Sequence, residues 1–546
     1  MKQTHKTFKT VITVIVVMVM IGFGTQWLPI TTTGQEAEAN VLNLSVATEP
    51  VMDPAYVTDS YSMPMLKNIL EGLARPTSAG EIVPAMAESW NVSEDGKTYT
   101  FHLREGITWS NGEAVTASDF AYSWKRILSP ETAAPNASKM FVIAGAEDYF
   151  MGEGSQEEVQ INVIDEQTLE VTLIEATPHF IELTARQVIF YPVHQATVEA
   201  DDSWATEAGD TFVSNGPFIF TEWNHSGDYR IVKNPNYWEA ETVDVDEVYV
   251  RIIADANTAN MNFMSGELDF IGIPFNTIPT EAIEAYRVDD QLKVTEIGAT
   301  YMYKLNTTDE VMQNKNIRKA LAYAINREEL IKNIAKGEQI PAKGAVAPTV
   351  AGFEDDRHYF EDAAYDAARE HLAIGLEELG VADASELPVV IQTNANDSHM
   401  AIAQFIQNEW TRELGLQPTI ETAEINVHFD SMAQLNYQMG RVGPTVDYNA
   451  AHAFLEPYYA ATTGGNWTGW ENPEFQAILD KVTTITDTDE QYQLYLEAEQ
   501  IMMDEMPFIP IYHYSNPQVV SDSVQGLFVD GMVDVQLKEV KITENN

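Results

Sequence analysis

Leu42, Leu44 and Val46 alternate with Asn43 and Ser45, so residues 41–47 read as a strand with one face turned to a core. Pro50 and Asp53-Pro54 end it. Residues 62–73 have helical spacing, with Pro64 tolerable in a first turn. Tyr99, Phe101 and Leu103 alternate with Thr98, Thr100 and His102, again one buried face of a strand. Phe120, Trp124 and Ile127 follow Ser118-Asp119 at helical spacing, and Pro130 closes that helix. Leu169, Val171 and Leu173 predict a strand after the turn-like Asp165-Glu166. Asn215-Gly216-Pro217 opens a β-rich region reaching residues 250–253, and a helix over 257–265 stops at Gly266.

The second half repeats the mixture. Residues 301–305 predict a strand and 316–325 a helix, and Asn326 with Glu329 makes a capping-box-like start for the next. Residues 388–393 read as a buried strand. Ile402, Phe405, Ile406 and Leu414 line one face of a helix that Gly415 ends. Asn472-Pro473 starts another helix. Residues 488–503 predict a further one, with Thr488 and Gln491 at capping-box spacing. Residues 508–512 read as a strand, and 526–542 return to strand-like alternation. No repeat or low-complexity tract interrupts the pattern. It predicts an α/β protein of two lobes with mixed sheets rather than a strict βαβ barrel.

The 546 residues are enough for several domains and large cores. The N-terminus has a separate character. Lys2, Lys6 and Lys9 precede the apolar run 11–23, and Ala37-Glu38-Ala39 makes a small-x-small cleavage pattern before Asn40. Residues 1–39 therefore read as an export signal, with an uncleaved anchor over 11–30 as the alternative. A net charge of −52 argues against nucleic acid or anionic membrane as a partner. The chain has no cysteine, which excludes disulfides, thiolate metal sites and a Cys nucleophile.

No catalytic signature is present: no Gly-x-Ser-x-Gly, no His-Glu-x-x-His and no Walker loop. His399 and His428 have no partner at metal-ligand spacing, so neither a catalytic set, a metal nor a cofactor is expected. One stretch invites a binding role. Arg441-Val442-Gly443-Pro444-Thr445-Val446-Asp447-Tyr448-Asn449 reads as a short, buried, extended segment with a base at its start and an acid near its end. A strand with unpaired backbone groups can add an extended peptide; the acid suits an ammonium and the arginine a carboxylate. An ordinary loop with solvated charges is the alternative reading of the same residues.

Several stretches together resemble one family. Pro84-Ala85-Met86-Ala87-Glu88-Ser89-Trp90, Trp109-Ser110-Asn111-Gly112, Tyr122-Ser123-Trp124-Lys125-Arg126, Lys233-Asn234-Pro235-Asn236-Tyr237-Trp238 and Arg318-Lys319-Ala320-Leu321 resemble, in order, the oligopeptide-binding proteins of ABC importers, solute-binding family 5 of the peptide/nickel type. The likeness runs over essentially all of residues 41–540. It implies a two-lobe periplasmic-binding-protein-like fold of type II, three-domain class, with a hinged cleft. The first domain would comprise 40–70, 201–297 and 514–546, the second 71–200, and the third, ligand-binding domain 298–513.

Residue by residue, the resemblance implies that Asp447 pairs the peptide α-ammonium. Arg441 would stand near the peptide's C-terminal end, and His399 would reach the C-terminal carboxylate of a longer ligand. Pro444, Thr445 and Val446 would form one flanking strand, and Thr58, Asp59 and Ser60 the other. There are departures: Pro444 replaces a common Trp, Asn136 stands where a Tyr is expected, and a Lys that some relatives use for short peptides has no clear counterpart. The lipidated Cys of Gram-positive relatives is absent, so the chain is expected to be exported to the periplasm or outer cell surface without a Cys-linked lipid. The implied function is that of an extracytoplasmic, non-enzymatic binding subunit, a monomer that delivers oligopeptides to a permease with its ATPases. Another solute of the family (a dipeptide, an oligosaccharide or a metal chelate) is the alternative. A secreted hydrolase would need a nucleophile or metal constellation.

Overall fold

The computed structural model describes residues 39–543 except 354–356, 358 and 486. The expected export signal, apart from residue 39, lies outside the described residues. Among those described, no helix is long and apolar enough to cross a membrane.

The chain builds an α/β structure on three main sheets. In the first, Val41–Val46 runs parallel to Glu247–Ile252, followed by antiparallel Asp228–Lys233 and Phe218–Asn224. Its alternation is the predicted one, with Leu42, Leu44 and Val46 buried. The second is an antiparallel sheet in the order Ala87–Val92, Thr98–Leu103, Thr168–Thr172, Ile161–Asp165. Helix Ala117–Ile127 belongs to the same core, burying Phe120, Trp124 and Ile127, and the Trp124 indole N–H donates to the Phe190 carbonyl at 2.8 Å. This helix starts before the expected Ser118-Asp119: Thr116 is its cap, in a capping box with Asp119. Both sheets share one apolar core.

The third sheet orders its strands as Phe270–Ile271, Phe508–Val520, Lys293–Leu305, Met439–Val442, Val390–Asn394 and Thr419–Ala423. Helices Lys315–Tyr323 and Asp397–Leu414 contribute to the second core over it, and the Trp410 indole N–H donates to the Leu321 carbonyl at 2.9 Å. Lys293–Leu305 and Phe508–Val520 form an antiparallel pair that carries the chain between the cores. Tyr301, Met302, Tyr303, Leu305, Phe508, Ile509, Ile511 and Tyr512 lie in the second core, whereas Val519 joins a small cluster with Ile271 and Ile283. The ladder loses register between Glu296 and Thr300. The expected boundaries 297/298 and 513/514 fall inside these two strands, where Glu296 faces Ser515 and Thr300 faces His513.

Four local expectations are corrected. Helix Ser62–Ile69 ends before residue 73, because Leu70 turns extended at φ −110° and ψ 155°. Residues 71–73 are held by tertiary contacts instead. Glu71 accepts from the Tyr237 hydroxyl at 2.6 Å and the Trp238 indole at 2.7 Å, and a Cβ on Gly72 would sit 2.7 Å from the Tyr191 ring. Helix Thr488–Glu505 is capped by Asp487, which accepts from the Glu490 N–H at 2.9 Å, rather than by Thr488. Residues 526–542 form no long strand. Their alternation places Leu527, Val529, Val535, Leu537 and Val540 in the first core through turns, with a bridge between Val529 and Val535 and a two-residue strand, Lys541–Ile542, paired with Val524–Gln525. Finally, residues 441–449 are not uniformly buried, since Pro444 and Thr445 are exposed.

Candidate functional site

A cavity of about 470 Å³ lies between residues of the first core and the strands that leave it. Thr58, Asp59, Ser60, Lys139 and Gln187 form one side, and Ala299, Thr445, Val446, Asp447 and Tyr514 another.

The 58–60 segment is fixed from below. Arg126 pairs with Asp53 through hydrogen bonds of 3.0 and 2.5 Å, and the Asn136 amide donates to the Val57 carbonyl at 2.7 Å. The Asp59 carboxylate accepts from the N–H groups of Tyr61 and Ser62 at 2.9 and 2.8 Å and from the Ser62 hydroxyl at 2.8 Å. Its charge is therefore directed at the start of helix Ser62–Ile69, a favourable place for an anion. Thr58 and Ser60 are the exposed members.

The facing segment continues the strand Met439–Val442. Gly443 runs so close to Tyr514 that a Cβ would lie 2.4 Å from its hydroxyl, so a side chain there would have to displace Tyr514. Thr445 makes an antiparallel bridge to Ala299, so the protein itself uses one edge of the segment. Beyond Asp447 the loop docks on the first core. Tyr448 stacks on His179 with ring centroids 3.8 Å apart, and the Asn449 N–H donates to Glu182 at 3.0 Å.

Asp447 is not alone. Lys139 donates to its carboxylate at 2.6 Å and to the Gln187 side-chain oxygen at 2.9 Å, while the Gln187 amide nitrogen donates to the Asp447 carbonyl at 3.2 Å. The two side chains are 23% and 45% exposed for Lys139 and Asp447, so the pair sits at the cavity surface, not in a dry interior. Behind it lies a buried charge network. Arg186 donates to Glu182, Asp530 and Asp534 at 2.8, 2.8 and 2.6 Å, and Lys67 also pairs with Asp534. Burial, then the neighbouring Asp534, push the Asp530 carboxyl up.

Arg441 and His399 come together, but neither lines this cavity. The Arg441 guanidinium lies 4.9 Å from the Tyr301 ring centroid, with contacts of 3.4 Å to the Asn394 side-chain oxygen and the Tyr514 hydroxyl. Its Nε is buried without a hydrogen-bond partner among the described residues. His399 Nδ1 is 3.3 Å from the Tyr301 hydroxyl. Burial first, then the Arg441 cation, hold this histidine down to about 4, so it is neutral at pH 7. Pro444 borders a second cavity with Arg441 and Lys304.

Thr58, Asp59, Ser60, Thr445, Val446 and Asp447 are thus brought to one cavity, whereas Arg441 and His399 meet at Tyr301 and Pro444 borders the second cavity. Lys139, Gln187 and Lys304 escaped the sequence reading. Lys139 pairs with a residue 308 positions away and carries no local signal. Lys304 did carry one, as a lysine inside the otherwise uncharged Tyr301-Met302-Tyr303-Lys304-Leu305. Among the described residues, no group of three or more His, Cys, Asp or Glu could hold a metal ion.

The profile of bacterial extracellular solute-binding proteins, family 5 Middle, matches residues 81–466. The chain is 40% identical over 500 residues to the oligopeptide-binding protein OppA of Bacillus subtilis, covering 91% of this chain and 92% of OppA. It is 34% identical to the dipeptide-binding protein DppE of the same organism, over 89% of each chain. The unliganded open form of MppA, a periplasmic murein tripeptide-binding protein, superposes with a TM-score of 0.81 at 26% identity, covering 93% of this chain and 98% of MppA.

Proposed function

The chain belongs to the bacterial extracellular solute-binding proteins of family 5, and on that premise we propose that it is the substrate-binding subunit of an ABC importer for peptides. The observation that carries this reading is the cavity in which the turn 58–60 and the largely open segment 443–446 come together, with the Asp447 carboxylate at the end of the latter. Such a groove suits an extended chain held through its backbone, and Asp447 suits the terminal ammonium. Arg441 and His399, beyond Tyr514, suit the far end of a longer ligand. Likeness to B. subtilis OppA supports an oligopeptide, and likeness to DppE favours a dipeptide as the second reading.

The expected three-domain division becomes a mechanical proposal. Residues 40–70, 201–297 and 514–546 form one domain, 71–200 a second and 298–513 a third. The paired strands Lys293–Leu305 and Phe508–Val520, out of register near residue 298, act as the hinge. The protein binds outside the cytoplasm, closes over peptide, and presents it to a permease whose ATPases are separate chains. It does no chemistry on its ligand. Mass spectrometry of the small molecules released on denaturing the purified protein tests the reading. Peptides are expected; a sugar, a metal chelate or a bile-salt-like molecule in their place overturns it. Incubation with a peptide pool should return every peptide at its original length.

A further inference from the structure

The strand Lys293–Leu305 is flanked by Phe508–Val520 on one side and Met439–Val442 on the other. Its residues 300–305 are all buried, and one of them is Lys304, only 3% exposed. Thr300, Met302 and Lys304 alternate onto one face of the sheet and line a second cavity of about 390 Å³. Gly443, Thr445 and Val446 border this cavity and the one beside Asp447, so a single extended segment separates them.

The Lys304 ammonium donates to the carbonyls of Gly465 and, at 3.1 Å, Asn466. It lies 4.8 Å from the Tyr458 ring centroid and 5.4 Å from that of Trp467. Two carbonyls take up two of its three hydrogens, and among the described residues no carboxylate pairs with its charge. Among the described residues, no Asp or Glu lines the cavity, in a chain where 83 acidic residues face 31 basic ones. Arg441 also borders it, but its guanidinium lies over Tyr301, on the opposite face of the sheet. A buried lysine is ordinarily paired with an acid, because an uncompensated ammonium away from water is expensive. Burial accordingly pushes Lys304 down to about 7.

We propose that the Lys304 cavity is a subsite for a carboxylate of the bound ligand, so that Lys304 selects ligands carrying an acidic group where they reach it. This rests on the peptide reading above. The missing counter-charge arrives with the ligand, either as an Asp or Glu side chain or as the C-terminal carboxylate. An ammonium already desolvated by the protein gains most from a carboxylate and repels a cationic side chain at the same place.

The test is calorimetric titration with alanine pentapeptides in which one Glu is moved through every position, each compared with its Gln counterpart. The all-alanine peptide is added as free acid and as C-terminal amide. In the wild type, one acidic member should outbind its neutral partner by about tenfold or more. A Glu/Gln difference assigns the subsite to a side chain, and an acid/amide difference assigns it to the C-terminus. In Lys304→Met that preference should fall to within about twofold, while the neutral member binds both proteins alike. In Lys304→Glu, a Lys at the sensitive position should become the preferred residue. If no position and no terminus shows a charge preference in the wild type, the subsite is overturned whether or not the variants fold. It is also overturned if the preference survives in Lys304→Met. Peptide binding without any charge preference sinks only this subsite, whereas absence of binding by every peptide sinks the peptide reading as well.

Discussion

The ion pair between Lys139 and Asp447 changes what mutation of the proposed ammonium site should do. A carboxylate buried alone would leave a ligand cation wholly uncompensated when neutralised, a loss of about 2–5 kcal/mol. Asp447 is instead 45% exposed and holds Lys139 at 2.6 Å before any ligand arrives. Pairs this exposed are worth only about 0.2–1 kcal/mol, so Lys139 is displaced readily, but it does not leave. A ligand ammonium at the same carboxylate lies within roughly 5 Å of the lysine, where repulsion is about 1 kcal/mol in a wet site and about 3 kcal/mol at an effective dielectric of 20.

Asp447→Asn therefore removes an attraction and unmasks a repulsion. Free-amine peptides should weaken by about 30-fold, near 2 kcal/mol. Lys139→Met should tighten them several-fold. The double variant should recover part of the Asp447→Asn loss, giving a coupling energy of about 1 kcal/mol between two residues in contact. N-acetylated peptides carry no cation and should bind all four proteins within about twofold of one another. Isothermal titration of the four proteins with free and acetylated forms of one peptide measures every quantity. Equal losses for both forms in Asp447→Asn would refute ammonium recognition. Weakening of free-amine peptides in Lys139→Met would refute the competition argument and make Lys139 a ligand-orienting group.

Three further outcomes are expected. Saturating peptide should reduce the radius of gyration in small-angle scattering if, as proposed, closure turns on the paired strands Lys293–Leu305 and Phe508–Val520; an unchanged radius contradicts a hinged cleft. Arg186→Met should destabilise the fold by about 3–5 kcal/mol, since Asp530 and Asp534 lose their shared cation. The Asp530 carboxyl, already pushed up by burial and by Asp534, then rises further above its unfolded value, so protonation relieves the defect. The gap in melting temperature from wild type should narrow from pH 8 to pH 5, and a constant gap would contradict the electrostatic origin. Lys304, held down to about 7 and facing Tyr458, Trp467 and the carbonyls of Gly465 and Asn466, must be protonated to attract a carboxylate. Affinity for the acidic peptide should therefore fall between pH 7 and pH 9, approaching tenfold per unit, while its Gln counterpart stays flat.

What could be read ahead of the structure was whatever depends on neighbours in sequence. Tyr99, Phe101 and Leu103 alternate because a strand has period two, and they are buried as that period requires. The same rule misled at 526–542. There Val529 and Val535 reach the core through turns, and periodicity cannot distinguish a ladder from a loop pinned at alternate residues. Helix Ser62–Ile69 was overextended for a related reason: Leu70 and Leu73 are apolar because of contacts made after the helix has stopped. The site divides along the same line. Segments 58–60 and 443–447 are contiguous and carried family likeness, so both were picked out. The groups that set their charge, Lys139 from a short helix far upstream and Lys304 from the interior of a sheet, act through the fold alone. A lysine flanked by Tyr303 and Leu305 was a visible anomaly whose meaning needed one further fact. Among the described residues no acid lines the cavity beside it, and only the three-dimensional arrangement of a strongly acidic chain could establish that.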